Sequence, residues 1–146
     1  MKLILATDHR GFLLKEYLKT LTHVNQQAVT WVDVGAFTAD RSDYPIFAHA
    51  AIQEFHTRGA DGIILLCGSG NGMAIVANRS AHIYACVAWN ASIAMLAKTD
   101  DNCNALVIPA DVITQQEITQ IISCWLSAPF KGGRYARRLA LIDAPE

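Results

Sequence analysis

The stretch LLCGSGNGMAIVANRS, Leu65–Ser80, decides the architecture of this chain. It runs from an apolar segment into glycine at Gly68, Gly70 and Gly72, then into a segment of helical composition. An apolar run of strand length that turns on glycine and restarts as a helix is a strand–turn–helix unit. The run GIILLC, Gly62–Cys67, lacks the alternation of a half-exposed strand and so reads as a strand covered on both faces. GSGNG has little side chain to pack, which suits close approach of a ligand to its backbone, and Cys67 stands at its edge.

Outward from this unit the pattern repeats. Leu3–Thr7 reads as a first strand, followed by a helix whose Leu14, Tyr17, Leu18 and Leu21 share a face. Ala28–Gly35 reads as a second strand, and DRSDYP leads into a helix opening at Pro45, with Ala48, Ala51, Ile52 and Phe55 on its inner face. IYACVAW (Ile83–Trp89) and NALVIP (Asn104–Pro109) supply the fourth and fifth strands. Ile118, Ile121, Ile122, Trp125 and Leu126 mark a further amphipathic helix, broken at KGGR. A tail helix over about 133–142 then carries Arg134, Arg137 and Arg138. This alternation predicts one domain over residues 1–146, an α/β three-layer sandwich with a five-stranded parallel sheet and helices on both faces, Rossmann- or flavodoxin-like. In such sheets ligands bind beyond the carboxyl ends of the strands, where strand order reverses. That rule gathers Asp8 and His9, the Cys67–Gly72 loop, and Asn90 at one edge.

Composition narrows the function. The 146 residues are 52% hydrophobic with a formal net charge of −1, which suits a packed core and gives no global field for nucleic acid or an anionic membrane. The apolar runs are strand-sized, well short of a bilayer span. MKLILATDHRGF meets Asp8, His9 and Arg10 too soon for a secretory signal, so the expected compartment is the cytoplasm. Cys67, Cys86, Cys103 and Cys124 lack metal-ligand spacing, so neither a zinc site nor a disulfide framework is expected. Cys86 and Cys124 read as small buried hydrophobes.

The chemistry concentrates at the glycine loop. GSGNG has neither the Walker nor the GxGxxG spacing, and glycines after a strand often serve only to turn the chain. Ahead of a helix, however, its free N–H groups favour negative charge. A thiol beside such a dipole end is expected to have a lowered pKa and to act as base or nucleophile, with the amides holding a developing oxyanion. That combination suits proton abstraction beside a carbonyl. Arg134 and Arg138, four apart, would share one helix face, either to grip a dianion or as a solvated basic tail.

DHRGF, SDYP, CGSGNGMAIVANR, DNCNAL and GGRYARR resemble, in order and spacing, the ribose-5-phosphate isomerase B family, which includes the galactose-6-phosphate isomerase subunits. The resemblance spans nearly the whole chain. It implies aldose–ketose isomerisation of a phosphorylated sugar with no metal or cofactor, in a homodimer or tetramer with shared sites. Cys67 would be the base moving a proton between C1 and C2, with Ser69, Gly70, Asn71 and Gly72, beside Gly68, supplying donors for the enediolate. Asp8, Tyr44 and Asn102 would meet sugar hydroxyls. His9, Arg134 and Arg138 would grip phosphate, the arginines arriving from another subunit. Some relatives use a Glu in the helix after the loop, where this chain has Met73, leaving Cys67 as the candidate base.

Two departures from the family pattern bear on substrate. Asp100 stands where relatives carry a ring-opening His, and Asp111 where many carry a phosphate-binding Arg. They point to a sugar phosphate that needs no ring opening, such as a tetrose 4-phosphate. Three other readings stay open: an ordinary ribose-5-phosphate isomerase with Asp100 or a nearby His as the acid–base group; a non-catalytic sugar-phosphate-binding subunit beside an active partner; and a flavodoxin-like module whose loop merely holds an anion.

Overall fold

The computed structural model describes residues 1–144. Five parallel strands form the central sheet: β1 (Lys2–Thr7), β4 (Thr30–Asp33), β5 (Gly62–Cys67), β6 (Ala85–Val87) and β7 (Ala105–Pro109). They lie in the order β4-β1-β5-β7-β6, so the order reverses between β1 and β5. The end of β5 lies level with the end of β7, Cys67 opposite Pro109. β2 (His23–Val24) and β3 (Gln27–Ala28) form a separate hairpin. The helices are α1 (Phe12–Thr20), α2 (Tyr44–Arg58), α3 (Asn71–Ala77), α4 (Ala91–Asp101), α5 (Gln115–Ser127) and α6 (Arg134–Ile142).

Alternate strand residues feed two cores because side chains on a strand point to opposite faces. Leu3, Leu5, Leu66 and Leu106 pack with Leu18 of α1 and with Ile118, Ile122 and Trp125 of α5. Ile4, Ile63, Leu65 and Val107 pack with Ala48 and Ile52 of α2 and with Met73 and Ala77 of α3. Cys67 belongs to this second core. A fully buried side chain of this kind contributes about 1.5–3 kcal/mol, so the sheet is a stiff platform for the loops at its ends.

The five strands and both covered faces are as the sequence implies, with local corrections. The second strand begins at Thr30, not Ala28, because His23–Ala28 closes into the hairpin around Asn25 and Gln26, both at positive φ. The fourth shortens to Ala85–Val87, since the Asn104 side chain takes the Tyr84 N–H at 2.9 Å. Cys86 and Cys124 are only half-buried, whereas Cys67 and Cys103 are buried; all four thiols are free. The tail forms α6, tied down by Lys131 N–H donating to the Thr99 carbonyl at 3.0 Å. Among the described residues no helix is long and apolar enough to cross a membrane.

Candidate active site

At the carboxyl end of the sheet, the loops after β1 and β5 flank the reversal of strand order. Asp8 is 5% exposed, and its Oδ1 accepts the Arg10 N–H at 2.9 Å, capping the short 3-10 turn His9–Gly11. His9 is clamped to Ser42: its N–H donates to Ser42 Oγ at 3.2 Å, and Ser42 N–H donates to His9 Nδ1 at 3.3 Å. With Nδ1 accepting, the neutral ring carries its proton on Nε2.

Cys67 ends β5 at 5% exposure, with the N–H groups of Gly70 and Met73 directed at its sulfur. Gly70 adopts φ 81°, a left-handed conformation that turns the chain from strand into α3. Ser69 is exposed, its Oγ accepting the Asn71 N–H at 3.4 Å. Tyr44 lays its ring against Gly72, where an added Cβ would come within 2.6 Å of the ring. Asp8, His9, Tyr44 and the Cys67–Gly72 loop therefore meet at one edge.

The thiol corrects one expectation. Burial pushes the Cys67 pKa up; the Met73 and Gly70 amides pull it down, Asp8 raises it further and Arg10 lowers it. The outcome lies above the ordinary thiol value, not below it, because desolvation of a buried thiolate outweighs the amides.

Arg10 is the functional candidate that sequence reasoning passed over. Its guanidinium lies against Gly68 and crosses to the loop after β7, where Nε donates to Asp111 Oδ1 at 3.1 Å and Nη2 to Asp111 Oδ2. Asp111 is thus an ion-pair partner rather than an unpaired acid in the site. A cleft of about 420 Å³ runs beside the loop, lined by Gly68, Ser69, Asn71, Trp89, Asp111 and Val112. A larger cleft of about 600 Å³ between Met1, Lys98 and Trp125 lies away from these groups. Asn90, expected at the edge, is occupied in capping α4, its Oδ1 accepting the Ile93 N–H at 2.9 Å.

The remaining candidates gather elsewhere. α4 runs back across the sheet, so Asp100 and Asn102 sit next to the start of β7, with β5's length of roughly 17–20 Å separating them from Cys67. Asn102 closes α4 in a left-handed conformation at φ 45°. Asp100 Oδ1 accepts from Lys131 Nζ at 2.5 Å and from Thr99 Oγ1 at 3.0 Å, and the Lys131 contact holds its pKa below the usual carboxylate range. Lys131, Arg134 and Arg138 crowd the Tyr135 ring at 5.1, 5.1 and 5.4 Å from its centroid. Within one chain this group and the Cys67 group do not meet.

Known proteins share this layout. A family model described as Ribose/Galactose Isomerase matches residues 3–142. The chain is 32% identical over 145 residues to ribose-5-phosphate isomerase B of Escherichia coli, covering 99% of this chain and 96% of that protein. It is similar to a crystal structure of a ribose 5-phosphate isomerase from Thermotoga maritima, with 37% identity, a TM-score of 0.91 and 97% of each chain covered. It is also similar to ribose-5-phosphate isomerase B of Mycoplasma genitalium with bound ribulose-5-phosphate: 34% identity, TM-score 0.84, covering 97% of this chain and 93% of that one. By sequence over nearly its whole length, and by fold, the chain belongs to the ribose/galactose isomerase family.

Proposed function

We propose that this chain is an aldose–ketose isomerase of a phosphorylated sugar in which Cys67 moves the proton between C1 and C2. The observation that carries this reading is a thiol at the floor of a glycine loop with two backbone N–H groups directed at its sulfur. As thiolate, Cys67 takes the proton from C2 of the open-chain aldose, and the C–H electrons pass through C2–C1 to the carbonyl oxygen. The resulting enediolate oxygen is held by N–H groups of the Ser69–Gly72 turn, with the Ser69 hydroxyl beside it. A proton passes from O2 to O1, and the Cys67 thiol returns its proton to C1, giving the ketose. Asp8 and Tyr44 contact the sugar hydroxyls and His9 the phosphate.

Asp100, Asn102, Arg134 and Arg138 complete the site from a second copy of the chain, a reading supported by their position at the opposite end of the sheet. Asp100 is ill-suited to opening a furanose, since its ion pair with Lys131 keeps it ionised and weakly basic. The substrate that fits is one already open, and a tetrose 4-phosphate cannot close into a furanose because its O4 is esterified. The test is kcat/KM of purified protein on a panel of four- to six-carbon aldose phosphates. The expected result is turnover favouring the tetrose 4-phosphate over ribose 5-phosphate. No turnover of any sugar phosphate removes the isomerase reading, and efficient use of ribose 5-phosphate removes the altered substrate alone.

A further inference from the structure

We propose that Arg10, held by Asp111, is a specificity-determining residue of this site, the fixed cation that, with His9, receives the phosphate of the ligand beside the glycine loop. The inference rests on the isomerase reading for the identity of the ligand, but its geometry stands by itself. Two acids face this edge, Asp8 buried beside Cys67 and Asp111 across the loop. A phosphate dianion brought to this edge beside His9 would be repelled by both unless a cation intervened. Arg10 is that cation. Its side chain lies flat on Gly68, so closely that an added Cβ there would come within 2.6 Å of Cζ and of Nε.

The fork geometry fixes which part of Arg10 remains for a ligand. Nε and Nη2 both donate to Asp111, so the guanidinium is oriented in a plane. Among the described residues Nη1 has no protein partner, and the Arg10 side chain is 54% exposed. Asp111 thus acts as a positioning residue: Arg10 neutralises its repulsion of the ligand, and Asp111 in turn aims the outer N–H edge of Arg10. A lysine would deliver charge without the fork and would not be held in this plane. Glycine at position 68 leaves room for this contact, since a Cβ there would push the Arg10 side chain off the loop.

The experiment uses the full chain and inorganic phosphate as the probe. Protection of Cys67 from alkylation by iodoacetamide gives the phosphate dissociation constant without any turnover. Kinetics on the best sugar phosphate give KM and kcat. Arg10→Met is expected to weaken phosphate protection by about tenfold or more and to raise KM more than it lowers kcat. Arg10→Lys should recover only part of this loss. Arg10→Asp and Asp111→Arg should each be impaired, and the double exchange should restore phosphate protection toward wild type. Arg10→Met with wild-type phosphate protection and KM would overturn the proposal, leaving the pair as a loop tie. If Arg10→Met fails to fold, the double exchange decides: a folded double mutant that does not bind phosphate overturns it equally. A wild type that binds phosphate yet turns over no sugar phosphate would defeat the isomerase reading while leaving the anion site standing.

Discussion

The two ends of the sheet handle charge in opposite ways. At the Cys67 end, the groups that matter are buried or clamped: Asp8 caps a turn, His9 is tied to Ser42, and the thiol sits under two amides. At the Asp100 end, Lys131, Arg134 and Arg138 are exposed and crowd one tyrosine, with Asp100 as the nearest acid. A buried, hydrogen-bonded set keeps its geometry when ligand arrives, which is what proton transfer needs. An exposed cluster of like charges is screened by solvent and weakly ordered, and it favours any anion brought to it. On the isomerase reading proposed above, the first end serves proton transfer, and the second, from a neighbouring copy, adds to the capture of phosphate.

The contrast breaks most readily at Cys67. Cys67→Ala should lower kcat by about 10²–10⁴-fold while leaving KM nearly unchanged. Equal losses from Cys86→Ala would mean that the buried end holds no privileged base. Next in size is the division of labour between copies. His9→Ala and Arg138→Ala should each be severely impaired, and mixing the two chains with subunit exchange should return roughly a quarter of wild-type turnover, since half the dimers would hold one intact site. A silent mixture of demonstrably exchanged subunits would place both ends in separate functions.

Asp100→His sharpens the capture end. A neutral imidazole near pH 7 can trade protons with a ring oxygen, so activity on ribose 5-phosphate should rise by about tenfold, with the tetrose 4-phosphate rate little changed. A parallel rise on both substrates would instead reflect the lost ion pair with Lys131. The smallest effect lies in the pH profile. Because the Cys67 pKa is raised, the thiolate is present above that pKa and is lost as pH falls through it. Activity should therefore still be climbing on the alkaline side of neutrality, and Arg10→Met should move the rise further up. A profile already flat at neutral pH would show that the thiolate is stabilised by something other than the loop and Arg10.

The strands were legible because a parallel sheet demands continuous apolar runs, and GIILLC and NALVIP have nothing else to offer. The hairpin at His23–Ala28 was not, since its four paired residues show no apolar pattern and its turn uses Asn25 and Gln26 rather than glycine. Cys67 was legible as a candidate by its place at the loop, but the direction of its pKa depends on burial depth, which spacing does not encode. Arg10 stayed hidden although it lies inside DHRGF, because its partner Asp111 is 101 residues away. Each of them alone reads as an ordinary surface charge; the pairing becomes visible only when β1 and β7 are seen to flank β5.

Lys15 lies fully buried on α1, with Nζ 2.5 Å from Asp33 Oδ2 and about equidistant from the Phe12 and Phe37 rings, at 5.6 and 5.5 Å. Asp33 Oδ1 in turn accepts the Gly35 N–H at 3.0 Å, at the head of the segment that brings Ser42 to His9. Burial raises the Asp33 pKa, but Lys15, Lys19 and the Gly35 amide pull it down further, so the folded value is depressed. By proton linkage, its stabilisation is complete above the unfolded carboxylate value and disappears as pH falls through the folded one. Protonation would leave the buried ammonium only the more exposed Glu16 carboxylate, at 3.1 Å, so the loss stays below the about 3–5 kcal/mol of a buried pair stripped of one partner. Acid should therefore reach the site from beneath, loosening α1 and the loop that clamps His9 at a pH far below the one at which the Cys67 thiolate is lost.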